Sequence, residues 1–154
     1  MTIVRKADKP EASWRPGKRG ILHAAASVGE TTKLIVNESW NDPGVGAPTH
    51  MHPDGLEEII MVLEGTAEFW IDGEHSTLEA GDLVILPPYS HHGFKNVGED
   101  TLHVLALFSS ATAPTIFDHE PDKIVYIGGT EGEQLDNQRT VAVLPVEQIP
   151  VAKT

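Results

Sequence analysis

The chain has 154 residues, enough for one domain with a sizeable core, and it contains no cysteine. That excludes a disulfide framework and any thiolate metal site, so a metal would have to be held by His, Asp or Glu. The net charge is −12. Residues 1–20 carry Arg5, Lys6, Lys9, Arg15, Lys18 and Arg19 against Asp8 and Glu11, a surplus of +4 that leaves −16 on the remainder. A body that acidic repels phosphate backbones, which argues against a nucleic-acid partner. There is no helix-turn-helix pattern, no apolar leader-like run in residues 1–20, and no stretch of eighteen apolar residues. The expectation is a soluble cytoplasmic protein with no membrane partner.

Residues 1–20 read as an extended, solvated arm lying against the acidic body. From about residue 21 to residue 110, short apolar or alternating runs recur between Gly, Pro and Asp: KLIVNESW, EEIIMVLEG, TAEFWIDGE, HSTLEA, DLVILPP, HGFKNV and TLHVLALF. Turn signals sit at the joints, at Asp72-Gly73, Ala80-Gly81-Asp82 and Val97-Gly98-Glu99. The pattern predicts an all-β antiparallel sandwich or barrel. Residues 111–154 form a Pro-bearing tail whose strand-like pieces, KIVYIG and TVAVLPV, predict order against the barrel or a partner subunit. IIMVL at 59–63 does not alternate, so that strand should be covered on both faces. Together with Trp70, which alternation sets opposite Phe69, it predicts a homodimer.

The chemistry gathers in two stretches. In THMHPDGLEE, His50 and His52 are two apart and on a strand project to one face, with Glu58 at the head of the next strand. Nitrogen and carboxylate donors without sulfur suit divalent Fe, Mn, Ni, Co or Zn. An HxH pair alone is weak evidence, because such pairs at loop edges are usually solvated. In PPYSHHGFKN, one of two adjacent histidines must face inward. Inward His91 would bury the Lys95 ammonium, which is expensive. Period two therefore selects His92, with Phe94 and Asn96, and leaves His91 at the surface or supporting a ligand.

These residues resemble the cupin family. The first cupin motif, G(X)5HXH(X)3–4E(X)6G, is matched by Gly44, His50, His52, Glu58 and Gly65. The second, G(X)5PXG(X)2H(X)3N, is matched by Gly81, Pro87, His92 and Asn96, with Tyr89 where the pattern has glycine. The resemblance covers about residues 20–110 and implies a single jelly-roll barrel around one divalent ion held by His50, His52, Glu58 and His92. The spacing from His52 to Glu58 is one residue longer than the pattern. Glu57 restores that spacing but lengthens the next, and an extra loop residue costs less than a shifted strand register, which favours Glu58. Four protein ligands leave about two positions open on an octahedral ion, enough for a chelating substrate.

Ile60, Val62, Phe69, Ile71 and Phe94 are the expected pocket lining, and His103 and Tyr89 the candidate acid, base or proton donor. His103 has an ordinary alternative as a hydrogen-bonded strand residue, and Tyr89 as a structural one. Two functional classes follow. One is a metal-dependent dioxygenase, isomerase or lyase acting on a small oxygenated molecule. The other is a sensor that holds a small ligand without turnover, a reading that gains if His103 faces outward. A two-barrel storage protein does not suit a chain with one barrel.

Overall fold

The computed structural model describes residues 1–128, together with the strand backbones of 133–135, 139–141 and 143–145. The remainder of the expected tail lies outside the described residues. Two antiparallel sheets face each other. The first runs in the order β1(Ala12–Arg15), β2(Lys18–Ala24), β3(Ile35–Asn41), β10(Leu102–Phe108), β5(Glu58–Glu64), β8(Leu83–Leu86). The second runs β15(Val143–Pro145), β12(Lys123–Ile127), β11(Ala113–Phe117), β4(Gly46–Met51), β9(His92–Asn96), β6(Thr66–Ile71), β7(Glu74–Glu79). A separate hairpin joins β13(Glu133–Leu135) to β14(Arg139–Val141). Among the described residues, helical structure is confined to two single 3-10 turns, Lys6–Asp8 and Ala26–Val28. The architecture is all-β, as the alternating runs predict, and a jelly roll, as the family resemblance implies.

Period two explains which side chains fill the space between the sheets. On β5, Glu58, Ile60 and Val62 are buried while Ile59, Met61 and Leu63 are half-buried. On β10, Leu102, Val104, Ala106 and Phe108 are buried. On β9, His92, Phe94 and Asn96 go in and Lys95 goes out, as the sequence requires. Asn96 then ties one end of the barrel together: its side-chain amide donates to the Asp100 and Asn41 carbonyls at 2.8 and 2.9 Å, and its oxygen accepts from Gly98 N–H at 2.9 Å.

One segment differs from its expectation. The boundary placed at residue 20 falls inside β2, because residues 12–24 form a hairpin at the edge of the first sheet. Only residues before it remain an arm, and its cations do lie on the acidic body: Lys6 pairs with Glu38 at 3.0 Å, and Lys9 pairs with Glu30. The tail strands β11, β12 and β15 extend the second sheet from the edge of β4, and Ile124 on β12 is fully buried.

Candidate metal centre

β4, β9 and the head of β5 bring four donors together. His50, His52, Glu58 and His92 are all buried, and one ligand atom from each lies within 4.8 Å of the others. Their local backbones show why. β4 and β9 lose regular register between Ala47 and His50, so a bulge at Pro48–Thr49 lets residues three apart, Ala47 and His50, both line the interior. His52 follows His50 at the strand period. The longer loop to Glu58 is closed locally: Asp54 Oδ1 accepts from Leu56 N–H at 3.3 Å, and Gly55 takes φ 75°. Glu57 is left on the surface, with its N–H on Ser109 Oγ at 2.9 Å, and Glu58 enters the cluster. The extra residue is absorbed in the loop, and the register of β5 is kept.

Each imidazole is held by its Nδ1 atom. His50 Nδ1 donates to the Pro48 carbonyl at 2.7 Å, His52 Nδ1 to that of Pro114 at 2.9 Å, and His92 Nδ1 to that of Ser90 at 2.9 Å. With Nδ1 committed to acceptors, the Nε2 atoms are the ones presented to the centre. Those of His52 and His92 both stand 3.2 Å from Glu58 Oε2. Burial, then the neighbouring His52 and His92, push the His50 pKa well below its ordinary value, which favours the neutral ligand form. Burial pushes the Glu58 carboxyl up, but hydrogen bonds from His52 and His92 outweigh it and hold the group down at about 2. A neutral imidazole, an ionised carboxylate and a tight ring of nitrogen and oxygen donors fit a first-row divalent ion.

The centre borders a cavity of about 230 Å³. Ile60 and Phe94 line it as expected, whereas Val62 and Phe69 sit in the core beyond it and Ile71 packs against that core. The lining is largely apolar, as those residues suggest, but it also carries polar and charged groups. Asn37 and Ser39 of β3 and Trp14, Arg15 and Lys18 of the β1–β2 hairpin form one side. That cationic wall was missed because basic residues near position 15 read as a solvated arm. The signal was present: Pro16-Gly17 between two short runs is a turn pair, and Gly17 takes φ 73°.

The two candidate acid–base residues are corrected. Alternation on β10 turns His103 to the outer face of the first sheet. There its Nε2 lies 2.6 Å from Glu38 Oε1 and its ring stacks on Trp40 at 4.7 Å. Tyr89 does not line the cavity either. It is partly exposed, it sits at φ 64° where the motif glycine would be unstrained, and its hydroxyl covers Gly55. His91 is at the surface with Asp118, 2.9 Å from its carboxylate. Trp70 points out of the second sheet, donating to Thr49 Oγ1 at 2.9 Å and packing over Gly93.

Fold and donor set define a β-barrel with a buried three-histidine, one-glutamate centre. Residues 42–108 match the family model described as the cupin domain. Gentisate 1,2 dioxygenase 1 of Aquipseudomonas alcaligenes is 35% identical over 81 residues, 53% of this chain and 21% of that protein. Acireductone dioxygenase of Schizosaccharomyces pombe is 31% identical over 98 residues, 59% of this chain and 48% of that protein. The chain thus matches from a fifth to about a half of these relatives' own lengths. Among solved structures, a cupin-superfamily sugar phosphate isomerase from Silicibacter pomeroyi superposes with a TM-score of 0.68 at 16% identity, covering 98% of this chain and 97% of that one. The polyketide cyclase RemF from Streptomyces resistomycificus superposes with a TM-score of 0.62 at 21% identity, covering 79% and 89%. At such identities the likeness carries the fold. Among the described residues, no helix is long and apolar enough to cross a membrane.

Proposed function

We propose that the protein is a metal-dependent cupin enzyme, of the dioxygenase, isomerase or lyase kind, acting on a small oxygenated organic molecule. One observation carries this reading: three imidazoles fixed through Nδ1 to backbone carbonyls turn their Nε2 atoms toward one ionised, buried carboxylate. His50, His52, Glu58 and His92 would hold a divalent ion, which supplies Lewis-acid chemistry and, if it is iron, manganese or nickel, access to oxygen chemistry. The chain's own contribution is positioning and exclusion of water. Phe108 packs edge-on to His52 at 5.5 Å and Phe117 lies 5.4 Å from His50, so the rings have little freedom to turn. The dioxygenases among the relatives support the enzyme reading.

The sensor reading draws on a specific observation as well. With His103 and Tyr89 outside, the titratable side chains of the described residues that line the cavity, apart from the metal ligands, are the two cations Arg15 and Lys18, with no further carboxylate or imidazole among them. The experiment is to load the purified protein with Fe, Mn, Ni, Co or Zn in turn, verify stoichiometry by elemental analysis, and follow small hydroxy and keto acids by NMR. Conversion by the loaded protein alone supports the enzyme. Ligands that bind the loaded protein and are recovered unchanged support the sensor and defeat the first reading.

We also propose a homodimer through the outer face of β5 and β8. Ile59, Met61 and Leu63 are only half-covered there, and Leu83 and Ile85 on the edge strand are 47% and 55% exposed. A cytoplasmic setting remains part of the proposal.

A further inference from the structure

The inner face of β3 is polar where its neighbours are apolar. Period two turns Ile35, Asn37, Ser39 and Asn41 inward, and Glu38 outward to His23 and His103. On the adjacent strand β10 the inward residues are Leu102, Val104, Ala106 and Phe108, and on β5 beyond it Ile60 and Val62 follow Glu58. Asn37 and Ser39 both line the cavity that borders the metal centre. The buried amides of the barrel differ in how they are held. Asn96 uses its side chain in three hydrogen bonds, with Asn41, Asp100 and Gly98. Asn41 donates to Ser39 Oγ at 3.2 Å. Asn37 is 9% exposed, yet among the described residues no hydrogen bond meets either atom of its amide. Burying an amide without a partner is unfavourable, and a leucine would fill the same inward position without that cost. Ser39, with Asn41 already donating to it, keeps its hydroxyl proton to give.

Register sets the reach of that amide. Ile35, Phe108 and Glu58 lie in one row across β3, β10 and β5, and Asn37, Ala106 and Ile60 lie in the next. Phe108 fills its row, whereas the small Ala106 leaves room between Asn37 and the Glu58 side of the centre. Strands about 4.8 Å apart put Asn37 about 10 Å across the sheet from β5, a span that a small molecule held at the metal can bridge.

We propose that Asn37 is a ligand-binding residue. Its amide, with the Ser39 hydroxyl beside it, hydrogen-bonds a hydroxyl or carbonyl oxygen at the end of the substrate remote from the metal. This deepens the function proposed above and rests on it for the near end of the ligand. A primary amide both donates and accepts, so a hydroxyl can satisfy both of its atoms and a methyl group neither. At about 230 Å³ the cavity lies below the roughly 300–1,000 Å³ of drug-sized sites, which limits the ligand to a small metabolite.

The test loads the parent and the Asn37→Leu variant with zinc, checks stoichiometry by elemental analysis, and titrates both calorimetrically. The probes are two pairs: 2-hydroxybutyrate against 2,4-dihydroxybutyrate, and 2-hydroxypentanoate against 2,5-dihydroxypentanoate. Members of a pair share the chelating carboxylate and its neighbouring hydroxyl and differ at the far carbon, so any other attraction of the carboxylate cancels. In the parent, the dihydroxy member of at least one pair should bind about tenfold tighter or more. Asn37→Leu should erase that advantage while holding the monohydroxy acid as the parent does. Without metal, Asn37→Leu should melt no lower than the parent, because it removes a buried amide that has no partner. A parent that loads no zinc defeats the metal reading, and the melting comparison then still decides on Asn37. The proposal is overturned if neither dihydroxy probe gains over its partner in the parent. It is equally overturned if Asn37→Leu keeps the gain, weakens both members of a pair alike, or melts lower than the parent.

Discussion

Two clusters in this barrel look alike on paper and are built for different ends. Inside, Glu58 faces His50, His52 and His92. Outside, on the far face of the first sheet, Glu38 accepts from His23 at 2.7 Å, His103 at 2.6 Å and Lys6 at 3.0 Å. Both carboxyls are pushed up by burial and brought down to about 2 by their hydrogen bonds. The difference lies in what balances the charge. Glu38 has the Lys6 ammonium, itself 4.5 Å over the Trp40 ring, so the outer cluster is complete within the chain. Among the described residues no lysine or arginine bonds Glu58, and the three inner imidazoles are each anchored through Nδ1 to a backbone carbonyl, which leaves Nε2 for a metal. Two histidines beside a glutamate therefore do not make a metal site; how the second ring nitrogen is held does.

The largest expected effect separates the clusters directly. His50→Ala and His92→Ala should each abolish stoichiometric metal after dialysis, whereas His103→Ala and His23→Ala should leave it at the parental level. Elemental analysis decides, and a His50→Ala protein that keeps its metal as tightly as the parent refutes the centre. Within the inner cluster, Glu58→Gln keeps shape but loses the anionic oxygen and should weaken metal binding about 10–100-fold or more. Glu57→Gln, at the surface, should cost little.

That contrast also shows what the sequence makes legible. The phase of β9 could be read because Lys95 had to stay out, and two motifs with many fixed positions gave the barrel and its four donors. Glu57 and Glu58 could not be separated by periodicity because both faces of β5 are apolar; the Asp54–Leu56 turn decides. His103 was misplaced for the same reason, since Leu102, Val104, Leu105, Ala106 and Leu107 make both faces of β10 look like core. Its partner Glu38 is 65 residues away in sequence. The support of His52 by Pro114 and Thr115, which lies 3.1 Å from Nδ1, was equally invisible, because the tail's pairing with β4 has no local signature.

The outer face offers the next effect. If Leu83, Ile85 and the half-covered side of β5 meet a second copy, light scattering at micromolar concentration should report a dimer, and Ile85→Glu should shift it to monomer. A monomeric parent refutes the interface. Metal content should be unaffected in either state, because the inner cluster is assembled within one chain.

The smallest effect concerns acid. Glu38 has a folded-state pKa of about 2 against an ordinary 4.5, so it binds fewer protons folded than unfolded over that window. By linkage its contribution is fully present above about pH 4.5, declines as pH falls, and is gone below about pH 2. Glu38→Gln removes the titration while keeping the shape. The variant should melt at a lower temperature than the parent at about pH 5, and the difference should shrink between pH 4.5 and pH 2. His23 and His103 both face Glu38, so the comparison is confined to the acid side. A gap in melting temperature that stays constant down to pH 2 would mean that Glu38 acts through packing against Trp40 and Lys6, and the outer cluster would then share only its geometry, and not its electrostatics, with the inner one.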